Sequence, residues 1–343
     1  MLKKLLIFLL VLVGLVFIIG HFLPKDIHVE RSVRIEAPAA TAFTLLNGYS
    51  TFNQWSPWAD RDPEASYTYS GPKFGPGSAM SWQGNEQVGS GSQEIMESSP
   101  YEMIRTQLDF GPQGSADAYF QIRSTAENTV DLTWGFDTDV TRGQSYIKGL
   151  IGRYFGLMFD RWIGADYERG LSAFKSFAES FPRVDFSDLD VNLVNAQALD
   201  ILYVSSQSTQ QPEAIAAALA DAYAEVAGFM ADSDIEFLGM PMAIARYWDE
   251  EGYGFDAAIP ARLPDGVELT GNVQVGRSPS GSAARAVHYG AYEGLTPSYE
   301  KLLAWINVHG YTEGDASWEH YITDPAEVAE SDLITHIYFL VDE

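Results

Sequence analysis

The stretch Val287-His288-Tyr289-Gly290-Ala291-Tyr292-Glu293-Gly294-Leu295 decides how the C-terminal half of this chain folds. The short apolar run over 283–289 reads as a strand and Gly290 marks a turn. The pattern from Pro297 predicts a helix to about residue 308. Trp318-Glu319-His320-Tyr321, in a run over 317–323, and the apolar run over 333–341 then read as two further strands. The same order occurs once upstream. A strand is expected over 198–206, a helix from Pro212 to about residue 230, and strands near 237–247 and 252–259. Each half is therefore β-α-β-β, a weak internal repeat spanning residues 191–343.

Ahead of a short polar, acidic joint (182–190) lies a segment of different order, residues 27–181. It begins with an alternating strand over 27–35 and a helix over 37–46, with Pro38 in the first turn where a missing N–H costs little. Strands follow near 65–70, 78–83, 88–97, 101–110, 116–124 and 129–138, separated by Gly75-Pro76-Gly77, Ser98-Ser99-Pro100 and Gly111-Pro112-Gln113-Gly114. Apolar residues at helical spacing predict one long helix over 146–181. The fold class expected for the whole is α+β.

Two families are resembled. Residues 27–181 are similar to the helix-grip fold of the START and polyketide-cyclase (SRPBCC) superfamily. The resemblance is carried by Arg34-Ile35-Glu36-Ala37-Pro38-Ala39, by Trp55-Ser56-Pro57-Trp58 and by Gly89-Ser90-Gly91-Ser92-Gln93-Glu94-Ile95. It implies a curved antiparallel sheet around a C-terminal helix, with an apolar cavity between them. The wall would draw on Trp55, Trp58, Trp82, Phe110, Phe120, Trp134, Phe155, Met158 and Trp162. The bland alternative is that these aromatics fill a core, the commoner fate of such a stripe.

Residues from about 195 resemble the GyrI-like effector-binding domain, an SHS2-type duplication also found in AraC-type and multidrug-sensing activators. The resemblance implies a ligand groove between the two halves. Its candidates are Tyr247, Trp248, Phe255, Tyr289, Tyr292, Trp318, Glu319, Tyr321, His336 and Tyr338, with Glu293 in the turn. Aromatic faces beside a carboxylate suit a lipophilic cation. Relatives commonly carry an acid where Thr335-His336-Ile337-Tyr338 places a histidine, which favours a neutral or anionic ligand or a role for Glu319 instead. Some relatives hydrolyse small electrophiles, and the resemblance then implies Glu319 as base with Tyr292 or Tyr321. A glutamate in such a strand also has the plain reading of a surface carboxylate.

The chain has 343 residues, 47 acidic against 21 basic, for a formal charge of −26. That balance repels phosphate backbones and argues against nucleic acid as a partner. Residues 5–23 form one uncharged apolar run after Lys3 and Lys4, just long enough to cross a bilayer. The positive-inside rule puts the N-terminus in the cytoplasm and the rest outside it, anchored by residues 1–25 in the inner (cytoplasmic) membrane of a periplasm-bearing cell. A cleaved signal, giving an exported soluble protein, is the rival; the bulky His21-Phe22-Leu23-Pro24 offers no small-x-small site. With no cysteine there is no disulfide, thiol nucleophile or lipoprotein processing. No Gly-x-Ser-x-Gly elbow, dinucleotide fingerprint or His-x-x-x-His pair occurs, so neither metal nor cofactor is expected. The function expected is non-catalytic binding of a small, largely apolar molecule in the GyrI-like groove, with the helix-grip cavity as a candidate second site and a hydrolase or a scaffold for a membrane partner as alternatives.

Overall fold

The apolar run forms a single helix, α1 (Leu2–Phe22), which ends where Leu23 bonds back to Gly20 and Pro24 has no N–H to continue. It is long and apolar enough to cross a membrane or to serve as a signal sequence. The computed structural model describes residues 2–342, so Met1 and Glu343, at the two ends of the expected segments, lie outside the described residues. Two compact units divide at Asp185 and Phe186.

In the first unit, β1 (Asp26–Ile35) is followed by α2 (Ala39–Leu46) and then β2 (Ser66–Ser70), β3 (Ala79–Gln83), β4 (Ser90–Ser99), β5 (Met103–Asp109), β6 (Ser115–Ala126) and β7 (Thr129–Asp139). All pairings are antiparallel, in the order β1-β7-β6-β5-β4-β3-β2. Period-two patterning decides the inner face: Val130, Leu132, Trp134 and Phe136 of β7, and Ala116, Ala118, Phe120 and Ile122 of β6, are all buried.

The single helix expected over 146–181 is two, α3 (Tyr146–Gly156) and α4 (Phe159–Ala178). Gly156 is the last residue of α3. Glycine weakens a helix by about 1 kcal/mol, and here its bare Cα lies against Ile27, where a β-carbon would come within 2.6 Å of Cδ1. α4 buries Gly164, Tyr167, Leu171, Phe174 and Ala178, one stripe at i, i+3, i+7, i+10 and i+14, against the sheet.

The second unit comprises β8 (Asp190–Ala196), β9 (Asp200–Ser208), α5 (Pro212–Asp232), β10 (Met242–Asp249), β11 (Gly252–Pro260), β12 (Gln274–Arg277), β13 (Gly281–Tyr289), α6 (Leu295–Val308), β14 (Thr312–Tyr321) and β15 (Ile334–Asp342). Its sheet runs β12-β9-β11-β10-β14-β15-β13-β8. The duplication is visible in that order: β9-β11-β10 meets β14-β15-β13 along the β10–β14 seam, with Ala243 opposite Glu319. α5 packs Val226, Phe229 and Met230 on Leu202, Phe255 and Ala257. α6 packs Leu302 and Ile306 on Ala284, Ala286 and Ile337. Although α5 is also apolar enough to span a bilayer, it is a core helix of this unit.

Three expectations shift. The strand expected from 237 begins at Met242, because Leu238 bonds to the Pro260 carbonyl and leaves Phe237 and Leu238 exposed in the connection. β8, whose first residue closes the supposed acidic joint, and β12 were not anticipated. Both are edge strands with mostly exposed side chains, so their pairing comes from the neighbouring strand and not from an apolar alternation of their own.

Candidate functional site

Between sheet and helices of the first unit lies a cavity of about 740 Å³. Its wall is mostly apolar. β3 contributes Met80 and Trp82, the end of β5 Leu108 and Phe110, β7 Phe136, α3 Ile151 and Phe155, and α4 Phe159, Trp162 and Ile163. Trp82 meets Phe110 edge to face at 6.1 Å, and Phe136 meets Phe159 at 6.4 Å. Trp58 completes the wall; its Nε1 donates to Asp166 Oδ2 at 3.1 Å, and Asp166 also takes Arg61 and Arg169. Polar side chains also reach the cavity, among them Asn53, Gln93, Asp139, Arg142 and Lys148. Asn53 donates through Nδ2 to the Tyr69 hydroxyl, while its buried Oδ1 has no partner among the described residues. Volume and lining match those of pockets for drug-sized ligands, which run to about 300–1,000 Å³.

The second unit holds a different arrangement on the helix-covered face of its seam. Glu319 of β14 accepts the Tyr299 hydroxyl on Oε1 at 2.8 Å and the Tyr321 hydroxyl on Oε2 at 2.6 Å. Burial pushes the Glu319 carboxyl above the usual carboxylate range; the two hydroxyls and nearby His288 pull the other way without cancelling it. The Tyr321 ring stands edge-on to Tyr292 at 5.4 Å and to Tyr223 at 6.4 Å. Burial, and then the Glu319 charge, push the hydroxyls of Tyr223, Tyr253, Tyr299 and Tyr321 well above the ordinary tyrosine range. His288 Nε2 faces the Ala291 carbonyl at 3.0 Å, and a carbonyl only accepts, so that nitrogen carries a proton; Nδ1 lies 2.9 Å from Ser298 Oγ. A half-buried carboxylate in a ring of tyrosines suits a cationic or hydrogen-bond-donating group. Among the described residues no three acidic or histidine side chains are grouped to hold a metal ion.

The polyketide cyclase / dehydrase and lipid transport family matches residues 26–179, and the GyrI-like small molecule binding domain family matches residues 197–342. The chain is a polyketide-cyclase-type domain followed by a GyrI-like domain. Both families are small-molecule binding domains. Solved structures similar to the chain include the C-terminal domain of EcmrR, 14% identical over 46% of this chain and 99% of that one, with a TM-score of 0.38. A hydrolase from Listeria innocua is 14% identical over 49% and 98%, with a TM-score of 0.34. The Zhui aromatase/cyclase from Streptomyces sp. R1128 is 17% identical over 45% and 94%, also with a TM-score of 0.34. No curated protein matches the chain.

In the polyketide-cyclase-type domain, Trp58, Trp82, Phe110, Phe155 and Trp162 line the cavity. Trp55, Phe120 and Trp134 do not: they form a buried aromatic cluster in which Trp134 also stacks on Tyr167 at 3.9 Å. Met158 is exposed in the α3–α4 break, displaced by the end of the helix.

In the GyrI-like domain, Phe255, Tyr292, Glu319 and Tyr321 belong to the helix-covered face. Strand alternation turns Trp318, His336 and Tyr338 to the opposite face, where Trp318 stacks on Tyr338 at 4.6 Å and 3°. Tyr247 also lies there, over Gly254, donating to Gln207. Trp248, Tyr289 and Glu293 are exposed. Burial, and then Arg285, hold His336 below the usual histidine range, which favours its neutral form. Sequence reasoning passed over Tyr223, Tyr253 and Tyr299. A signal existed: Tyr299 precedes Leu302 and Ile306, and Tyr223 precedes Val226 and Met230, at the i, i+3, i+7 spacing of a buried stripe.

Proposed function

We propose that this protein is a membrane-anchored, non-catalytic binder of a small, largely apolar molecule. α1 holds it in the cytoplasmic membrane with both domains outside the cytoplasm, and the ligand occupies the polyketide-cyclase-type cavity. The carrying observation is that cavity of about 740 Å³, walled by Trp58, Trp82, Phe110, Phe155, Phe159 and Trp162. Burying an apolar ligand there gains roughly 25 cal/mol per Å² removed from water, without any directional bond. In the wall Asp139 is engaged by Lys25 and Thr141, so it is committed to structure. The GyrI-like groove at Glu319 serves as a second site for a polar or cationic group.

Native mass spectrometry of the full-length protein, released from lipid nanodiscs, tests this. The expected result is a co-purifying apolar molecule whose occupancy falls when Ala116→Phe takes volume from the cavity. An empty wild-type protein, unchanged in melting temperature by apolar ligands, would overturn the reading.

A hydrolytic alternative has one observation in its favour: a carboxylate whose proton affinity is raised by burial, beside tyrosine hydroxyls, is the usual company of a general base. Turnover of model esters or epoxides that vanishes in Glu319→Gln would replace the binding reading with this one.

A further inference from the structure

α3 is covered on two sides and bare on the third. Its glycines lie on the domain: β-carbons at Gly149, Gly152 and Gly156 would meet Thr141, Val140 and Ile27. Leu150, Arg153 and Tyr154 are turned to α1. A β-carbon on Gly20 would come within 2.7 Å of Tyr154 Cε2 and 2.9 Å of Leu150 Cδ1. The Arg153 guanidinium donates to the carbonyls of His21 and Leu23 at 2.6 and 2.7 Å, capping the end of α1 where a cation is favoured. The Tyr154 hydroxyl donates to the Val16 carbonyl at 2.6 Å. The third side carries Ile147, Ile151 and Phe155, one stripe at i, i+4, i+8, joined beyond the break by Leu157, Met158 and Trp162; all six are exposed.

Depth follows from the helix geometry. Val16 lies six residues before Phe22, about 9 Å along α1 at 1.5 Å per residue. If α1 crosses a bilayer, Tyr154 therefore reaches about 9 Å below the end of the span. In-plane amphipathic helices sit about 5–10 Å into the headgroup and acyl boundary, so the depth agrees. Charge agrees too. In a chain with 47 acidic and 21 basic residues, positions 140–159 hold Arg142, Lys148 and Arg153 and not one acid. Arg153 is committed to α1, while the exposed Arg142 and Lys148 flank the apolar stripe and place their heads at lipid phosphates as their stems cover hydrocarbon.

We propose that α3 is a second membrane contact, lying in the interface of the bilayer that α1 crosses, with Ile147, Ile151, Phe155 and Leu157 in the acyl boundary. Its occupant is the lipid surface itself. Because Ile151 and Phe155 also belong to the cavity wall, that wall is turned to the bilayer, and two contacts fix the domain's orientation where one helix would let it swivel. The inference rests on α1 being a membrane anchor, as proposed above.

The chain contains no cysteine, so single spin labels can be placed in the full-length protein. Ile147→Cys and Leu157→Cys report on α3, Val11→Cys on α1, and Glu127→Cys, in the exposed β6–β7 turn, on water. The probe is a vesicle of phosphatidylcholine and phosphatidylglycerol, read by collision of each label with oxygen against a water-soluble nickel chelate. Oxygen-dominated collisions at 147, 157 and 11, with nickel-dominated collisions at 127, are expected. Nickel-dominated collisions at 147 and 157, with 11 still oxygen-dominated, would overturn the α3 contact and leave the anchor standing. Nickel-dominated collisions at 11 would overturn the anchor and the α3 contact with it.

Discussion

Gly170 stands against the indole of Trp134: a β-carbon there would lie 2.7 Å from Trp134 Cζ3 and 3.0 Å from Pro57 Cδ. The indole has no room to yield, being stacked on Tyr167 and hemmed by Trp55 and Phe120. In an open helix Gly→Ala gains up to about 1 kcal/mol, whereas forcing atoms into a filled core costs about 1–3 kcal/mol. Gly170→Ala is therefore expected to destabilise the polyketide-cyclase-type domain. Gly228 of α5 has nothing within 4 Å of its β-carbon, so Gly228→Ala is expected to stabilise. Thermal melting of both full-length variants checks the opposite signs; equal shifts would refute the steric account.

The tyrosines around Glu319 separate into hydroxyls that are used and one that is not. Tyr299 donates to Oε1, while the buried Tyr223 hydroxyl has no partner among the described residues. Removing a used donor leaves a buried acceptor short, at about 1–3 kcal/mol; removing an orphaned one relieves a burial cost. Tyr299→Phe should lower the melting temperature, and Tyr223→Phe should leave it equal or higher. A loss at Tyr223 as large as at Tyr299 would mean that its hydroxyl has a partner after all.

The fold was legible because it is written in periodicity. Alternation in β6 and β7 and the duplicated β-α-β-β order needed only local patterns. What could not be read were features set by a neighbour. β8 and β12 are strands because β13 and β9 pair with them. Gly156, the last residue of α3, packs on Ile27, 129 positions earlier. The sites divide in the same way. Glu319 and Tyr321 carried a motif, but Tyr299 meets them from a helix twenty positions away. Trp318 and Tyr338 belonged to the same motif strands, and strand parity alone sent them to the other face. Among the Trp and Phe residues of the first domain, aromatic character could not separate Trp82, in the cavity wall, from Trp134, in the core.

Ala116 is buried and its methyl group forms part of the cavity wall, opposite Leu108 on β5. A phenyl group at this position projects into open space, so the penalty for overpacking should be at the low end of about 1–3 kcal/mol. Ligand volume is lost instead. With a neutral naphthylamine fluorophore as probe, Ala116→Phe is expected to raise Kd at least tenfold, which is about 1.4 kcal/mol. An unchanged Kd would put the bound probe elsewhere, with the Glu319 groove the next place to look.

Glu319 makes a prediction about pH whose sign is fixed by its environment. Its carboxyl is raised above 4.5 by burial, so the folded state holds this proton more tightly than the unfolded chain does. Stability from the protonated form is fully present below the unfolded value and is lost as pH rises through the folded one. Asp139 works oppositely: Lys25 and Thr141 hold it well below the usual range, so its contribution is present above about 3.8 and lost as pH falls. A melting curve of the wild-type protein against pH mixes the two slopes. The difference between wild type and Glu319→Gln removes Asp139, which is common to both. That difference should fall from pH 4.5 upward, by no more than about 1.4 kcal/mol per pH unit for a single group, and level off once Glu319 is ionised in both states. Bound cation at the groove would hold the carboxylate ionised and shift the fall to lower pH, so repeating the titration with tetraphenylphosphonium distinguishes an empty groove from an occupied one. A flat difference across pH 4 to 8 would show that Glu319 has an ordinary carboxylate's proton affinity, and with it that the tyrosine ring does not shield it from water.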